Sequence, residues 1–97
     1  MPPRRMTFQP GPVVISAGLK AALDQTGEVL DSYFIRYLHG DWGLISEEDR
    51  KINDEALLED HGGGPLMGVY QLKDRTEFWI VTEADRSVTT ALLPSEY

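Results

Sequence analysis

The stretch LMGVYQLKDRTEFWIVTEADRSVTTALL, residues 66–93, decides the fold. It contains three runs rich in β-branched and aromatic residues, at 66–72, 77–83 and 88–93, with a four-residue connection between neighbouring runs. Connections of this length are usually built around a type I turn and join antiparallel strands. Pro94 has no N–H to donate to a sheet and ends the last run. The stretch therefore predicts an antiparallel three-stranded meander.

Alternation along the predicted strands places apolar side chains on both faces of the sheet. Helices that cover one face leave the other in water, so we expect the N-terminal segment or a second protein to cover it. A homodimer through this apolar face is one such arrangement. One face is predicted to carry Leu66, Tyr70, Leu72, Phe78, Ile80, Val88 and Leu92, and the other Met67, Val69, Trp79, Val81, Ala91 and Leu93.

Three short helices are predicted before the meander. Ser16 and Gly27 are placed to cap the first helix, which should extend to residue 25. Apolar residues recur at helical spacing from Glu28, so the second helix is predicted to begin there and to end at the loop 39–43. Ser46 opens a capping box, which predicts that the third helix begins at Glu47.

The buried side of the third helix is predicted to contain an amide. An unpaired buried amide costs about 1–3 kcal/mol, so Asn53 needs a hydrogen-bond partner, and we expect the loop 39–43 to supply it. Trp42 in that loop is expected to fold onto the core. The predicted buried stripe is Ile52, Asn53, Ala56 and Leu57.

The N-terminal residues indicate extended chain. Pro10, Gly11 and Pro12 disfavour a helix, and the apolar residues 13–15 after them predict a short edge strand. We expect a flexible tail at residues 1–12 and one domain at residues 13–97. The predicted fold class is α+β: three short helices followed by a three-stranded antiparallel meander, with a short N-terminal edge strand.

Composition and charge argue against several classes of function. The chain has 97 residues, a net charge of −7 and nine scattered Lys and Arg residues, so direct nucleic-acid binding is disfavoured. It contains no cysteine, which excludes disulfides and thiolate chemistry and suits the cytoplasm. No apolar run is long enough to predict a membrane span or a secretory signal. We therefore expect a cytoplasmic protein.

Candidate chemistry is sparse. Acids flank His39 and His61, but their spacing matches no ligand motif, so we predict no metal, cofactor or catalytic set. Arg86 has two readings: a turn residue paired with Asp85 or Glu83, or a hook for a carboxylate or phosphate. The residues proposed for binding are Asp41, Trp42, Asn53, Glu83, Asp85, Arg86, Thr89 and Thr90.

Three blocks, GDWG at 40–43, EDRKIN at 48–53 and WIVTEADRSVTTALLPSEY at 79–97, resemble the small "plasmid-related" proteins of bacterial mobile elements. The likeness covers most of the chain from Phe8 onward. It implies a gene on conjugative plasmids and integrated islands, beside antirestriction and DNA-maintenance genes, without implying an activity. Two positions depart from the family pattern: Tyr37 stands where a histidine is expected, and Arg75 where a turn glycine is expected. The second departure predicts a turn that avoids positive φ or a mildly strained one.

Three functional hypotheses follow. The first is an accessory protein of a mobile element that acts by protein–protein contact rather than catalysis. The second is a small ligand-binding domain or enzyme, with a pocket between the Asp41–Trp42 loop and the hairpin at residues 83–90. The third is an acidic mimic of DNA that inhibits a host defence enzyme. Alternatively, Asn53, Asp41 and Arg86 form a buried network that only stabilises the fold.

Overall fold

The computed structural model describes residues 8–58 and 64–97. The strands form one mixed sheet in the order β1-β4-β3-β2, in which β1 runs parallel to β4 and the other pairs are antiparallel. The predicted α+β class, with its helices, meander and N-terminal edge strand, is confirmed. The elements in chain order are strand β1 (Val13–Ile15), helices α1 (Ala17–Thr26), α2 (Asp31–Leu38) and α3 (Glu47–Leu58), strands β2 (Leu66–Gln71), β3 (Glu77–Thr82) and β4 (Thr89–Leu92), and a 3-10 helix (Pro94–Glu96).

The caps of α1 are as predicted, but the start of α2 is not. Ser16 accepts the N–H of Leu19 at the N-terminus of α1, and Gly27 adopts φ 72° at its C-terminus. Glu28 was predicted to begin α2, but its N–H bonds to the carbonyl of Leu23, which makes it part of the end of α1. The next helix consequently begins at Asp31.

Helix α3 begins at Glu47 as predicted, and its buried side is narrower than predicted. Asn53 and Ala56 are buried, whereas Ile52 is 58% exposed, so its place in the predicted stripe is wrong. At 3.6 residues per turn, Ile52 lies at the edge of this side of the helix, beyond Ala56 and away from Asn53. An apolar side chain therefore faces solvent beside the buried amide.

The predicted faces of the sheet are correct for β2 and β3 and wrong for β4. Leu66 pairs with Thr82, so even-numbered residues of both strands share a face. Thr82 in turn pairs with Thr89, so odd-numbered residues of β4 face the core. Ala91 is fully buried there, whereas Leu92 lies on the opposite face. The length of the hairpin loop causes this change, because a shift of one residue moves each side chain to the other face.

One hydrophobic core lies between the helices and the inner face of the sheet. Each α-helix and each strand of the meander contributes to it, and several of its aromatic rings meet edge to face. Its buried members are Leu19, Leu23, Leu30, Tyr37, Trp42, Ala56, Leu66, Tyr70, Leu72, Phe78, Ile80 and Ala91.

The C-terminal turn covers part of the outer face. The ring of Tyr97 packs edge-on against Trp79 at 5.4 Å. Glu96 fastens this turn to α1, because its carboxylate accepts the hydroxyl of Ser16 at 2.5 Å and the N–H of Gly18 at 3.1 Å. The chain's own C-terminus thus contributes cover that the sequence analysis did not anticipate.

Residues 8–12 contact the core, and residues 1–7 of the predicted tail lie outside the described residues. The ring of Phe8 meets Tyr37 edge-on at 5.4 Å. The carbonyls of Pro10 and Pro12 accept the hydroxyl and the N–H of Thr89, at 2.7 and 2.9 Å. Neither described stretch contains a helix long and apolar enough to span a membrane.

Candidate functional site

The loop at residues 40–43 joins α2 to the outer edge of β2. Gly43 has φ 77°, and a Cβ there would lie 2.0 Å from the carbonyl oxygen of Val69, so only glycine allows this approach. Asp41 accepts Nε of Arg36 at 2.9 Å and the N–H of Gly43 at 3.2 Å. Its backbone carbonyl accepts the hydroxyl of Tyr70 at 2.7 Å. The predicted binding residue Asp41 thus fixes the loop.

The hydrogen bond with Asp41 also fixes the position of the Arg36 guanidinium. The hydrogen bond from Arg36 to Asp41 raises the pKa of the guanidinium. The guanidinium lies 5.2 Å from the centre of the Tyr70 ring, a distance at which a cation and an aromatic face attract each other. Burial raises the pKa of Tyr70, so its hydroxyl remains a hydrogen-bond donor across the ordinary pH range.

Trp42 is buried, as predicted, with 2% of its surface exposed. Its indole meets Tyr37 edge-on at 5.3 Å and stacks on Phe8 at 6.3 Å. Its Nε1 donates to Oδ1 of Asp54 in α3 at 3.1 Å. These contacts use the ring to join the loop, α2 and α3, and leave little of it to meet a ligand.

Asn53 closes the outer edge of β2. Its side-chain nitrogen donates to the carbonyl of Met67 at 2.8 Å, and its side-chain oxygen accepts the N–H of Met67 at 3.3 Å. The prediction that the loop 39–43 satisfies Asn53 is therefore wrong. The loop and the residue after it bond instead to Val69, the next residue of β2 whose backbone groups point away from the sheet. The N–H of Val69 donates to the carbonyl of Trp42, and the N–H of Leu44 donates to the carbonyl of Val69. Asn53 and the loop thus supply the hydrogen bonds that a neighbouring strand would otherwise make, Asn53 at Met67 and the loop at Val69.

Arg86 joins the β3–β4 hairpin to the end of α3. Its Nη2 donates to the carbonyl of Ala56 at 3.2 Å. Its Nη1 donates to the carbonyls of Gly64, Ala84 and Glu83 at 2.9, 3.1 and 3.2 Å. A guanidinium at the negative end of a helix is also favoured by the helix dipole. Arg86 is a turn residue, as the first reading predicts, but it bonds to backbone carbonyls rather than to the carboxylate of Asp85 or Glu83. The second reading, a hook for a carboxylate or phosphate, stays a prediction.

The remaining hairpin residues divide between solvent and core. Glu83 and Asp85 are exposed, and hydrogen bonds from Ser87 hold the pKa of the Asp85 carboxyl below its ordinary value. Thr90 lies on the outer face, where it pairs with Val81. Thr89 is fully buried in the core.

Thr89 belongs to a buried chain of hydroxyl groups. The hydroxyl oxygens of Tyr37 and Thr82 lie 2.6 Å apart, and those of Thr82 and Thr89 lie 2.7 Å apart. Because Thr89 donates to the carbonyl of Pro10, it must accept from Thr82, which in turn accepts from Tyr37. Burial raises the pKa of Tyr37 and keeps it a donor. This series of hydrogen-bonded hydroxyl groups links the N-terminal segment to the core.

The predicted site residues therefore form separate contacts rather than one buried network. Asp41 and Trp42 line a cavity of about 390 Å³ with Arg50 and Asp54 of α3. Glu83 and Asp85 line another, of about 520 Å³. These two cavities share no residue, so they do not form the pocket predicted between loop and hairpin.

A groove beside α3 was missed by the sequence analysis. It has a volume of about 190 Å³ and opens next to the outer edge of β2. The exposed side chain of Ile52 signals it, but helical spacing had assigned Ile52 to the core. We call this feature the α3 groove and define it by its lining residues: Ile45, Asp49, Ile52, Asn53, Pro65 and Met67.

Within residues 8–58 and 64–97, no cluster of His, Asp and Glu is arranged to hold a metal ion. The ring of His39 contacts the carbonyl of Ile35 through Nδ1 at 2.9 Å, and His61 lies outside the described residues. No protein-family model, curated protein or solved structure matches this chain.

Proposed function

We propose that this protein is a non-enzymatic accessory protein of a bacterial mobile element and that it acts by binding another protein through the α3 groove. The observation that carries the proposal is the exposure of Ile52, 58% of its surface, on the rim of a groove lined by other apolar side chains. Exposed apolar residues beside a concave apolar patch are typical contact positions for a protein partner.

The floor of the groove limits what the partner can contribute. Both backbone groups of Met67 that point outward are already bonded to Asn53. A partner strand therefore cannot extend the sheet at this position without displacing the amide. An apolar side chain that inserts between Ile52 and Met67 needs no such exchange.

The charges around the groove favour a basic partner. Asp49 lines the groove, and Glu47 and Glu48 are exposed in the same first turn of α3. With a net charge of −7, the protein attracts basic surfaces over about 8 Å at physiological salt. The partner that fits is an apolar residue flanked by Lys or Arg.

The association with a mobile element rests on the sequence blocks described above. All three contain residues whose contacts fix the fold, since Asp41, Trp42, Asn53 and Arg86 each join separate elements. A family that keeps these residues keeps a rigid support for the groove.

The other two hypotheses have less support. Among the described residues, the loop and the hairpin line separate cavities, which gives the shared pocket no support. A mimic of DNA needs a continuous acidic surface, but Arg50 and Lys51 interrupt the acids of α3.

A photo-crosslinking experiment in the bacterium that carries the gene tests the proposal. A photoreactive phenylalanine analogue replaces Ile52 in one variant and Ile35, which is 55% exposed on α2, in the control. We expect one protein to be attached at position 52 and not at position 35. Equal labelling at both positions, or none at position 52, contradicts the proposal.

A further inference from the structure

The two edges of the sheet differ. At the β2 edge, Met67 and Val69 find hydrogen-bond partners in Asn53, Trp42 and Leu44. At the β1 edge, none of the described residues covers the strand, and Val13, Val14 and Ile15 are 42%, 49% and 41% exposed.

The hydrogen bonds of β1 show which of its groups point outward. Thr89 donates to the carbonyl of Pro12, and Ser16 donates to the carbonyl of Ala91. In a parallel ladder with this register, Val14 directs its N–H and C=O towards β4, and Val13 and Ile15 direct theirs away from the sheet. Pro12 uses its carbonyl on the inner side, so its missing N–H does not block the outer edge.

We propose that this protein forms a homodimer in which β1 pairs antiparallel with β1 of a second copy, about a two-fold axis through Val14. In this register Val13 lies opposite Ile15 of the other copy, and each pair exchanges both backbone hydrogen bonds. The two Val14 residues face each other across the axis as a pair without hydrogen bonds. The edge is thus complementary to itself.

The absence of charged side chains at this edge favours pairing with a second copy of the protein over pairing with a basic partner. Residues 8–19 contain no charged side chain, in a molecule whose net charge is −7. Two copies, each with a negative net charge, repel each other least where an uncharged segment of one meets the same segment of the other. A basic partner gains no electrostatic attraction from an uncharged segment. A strand of three residues buries little surface, so the dimer belongs to the weak class of interfaces, with a dissociation constant in the micromolar range or above.

The arrangement would produce a continuous sheet with β2 of each copy at its two ends, because β1 and β2 are the opposite edges of the monomer sheet. The two α3 grooves would lie at those ends. A partner with two binding sites would gain avidity without any new contact. The dimer itself does not depend on the proposed function.

Sedimentation equilibrium from about 10 μM to 1 mM tests the proposal. The wild type should approach twice the mass of the chain. Val14→Lys and Val14→Glu, which place like charges opposite each other, should each weaken the dimer at least about tenfold, and an equimolar mixture of the two should restore it. Ile15→Pro, which removes an outward N–H, should also weaken it.

Two control variants distinguish an effect at the β1 edge from an effect of net charge and from dimerisation through the outer face of the sheet. Val29→Lys changes the net charge as Val14→Lys does, at a residue that is 65% exposed elsewhere, and should keep the dimer. Trp79→Lys on the outer face should keep it as well. A wild type that stays monomeric at 1 mM, a dimer lost with Trp79→Lys, or a mixture that stays monomeric overturns the proposal. Circular dichroism checks that each variant is folded.

Discussion

At the scale of single residues, two arginines occupy equivalent turns. Arg75 has φ 72° and Arg86 has φ 62°, and in each turn the preceding aspartate accepts the N–H of the residue after the arginine. A left-handed conformation costs a residue other than glycine about 1–2 kcal/mol. The turns differ in the arginine side chain: that of Arg75 is exposed, and that of Arg86 donates to the carbonyl of Ala56 in the last turn of α3.

Glycine at these two positions should therefore have opposite effects. Arg75→Gly relieves the backbone strain and should raise the free energy of unfolding by about 0.5–1 kcal/mol. Arg86→Gly relieves the same strain but loses charged hydrogen bonds, and should lower the free energy of unfolding by about 2 kcal/mol. Urea denaturation measures both. Equal shifts in the same direction would show that the Arg86 contacts add nothing to stability.

The sequence allows strain at position 75 as one of two outcomes and does not indicate the role of Arg86. An arginine in place of the expected turn glycine left two outcomes, and the structure has the strained one. The acceptors of Arg86 are backbone carbonyls of Ala56 and Gly64, which are far from it in sequence and carry no signature in their side chains. The partner of Asn53 was missed for the same reason, because it is the backbone of Met67.

At the scale of elements, the C-terminal 3-10 helix depends on one carboxylate. Hydrogen bonds from Ser16 and from the N–H groups of Leu93 and Gly18 lower the pKa of Glu96 below 4.5. A lowered folded-state pKa gives a contribution to stability that is complete above the unfolded pKa and is lost as pH falls through the folded value.

Glu96→Gln should therefore reduce stability at neutral pH and have less effect in acid. We expect the difference in unfolding free energy between wild type and Glu96→Gln to be constant above about pH 5 and to shrink as pH falls below 4.5. Urea denaturation at several pH values measures it. A difference that stays constant down to pH 3 would show that the charge of Glu96 is not involved.

Sequence reasoning located the elements better than it located their faces. Caps identified α1 and α3, because Ser16, Gly27 and Ser46 act through local hydrogen bonds that sequence records. The inner face of β4 was assigned wrongly because register depends on how the hairpin closes, which alternation within one strand does not encode. Tyr97 as cover for Trp79 is likewise a contact between elements.

At the scale of the whole molecule, most of the polar residues that hold the fold lie outside the proposed contact surface, and Asn53 belongs to both. The polar residues Asp41, Asn53 and Arg86 hold loops and strands together. The α3 groove lies beside them and is lined mainly by apolar side chains. This separation predicts that binding and stability respond to different substitutions.

The most direct test is a calorimetric titration of the partner identified at position 52 against purified variants. Ile52→Glu adds a charge to the rim of the groove, and Ile35→Glu adds the same charge at a similarly exposed residue of α2. The account predicts that Ile52→Glu weakens binding at least about tenfold while both variants unfold like wild type, and that Ile35→Glu stays within about twofold. Unchanged affinity for Ile52→Glu, or equal weakening by both variants, would contradict it.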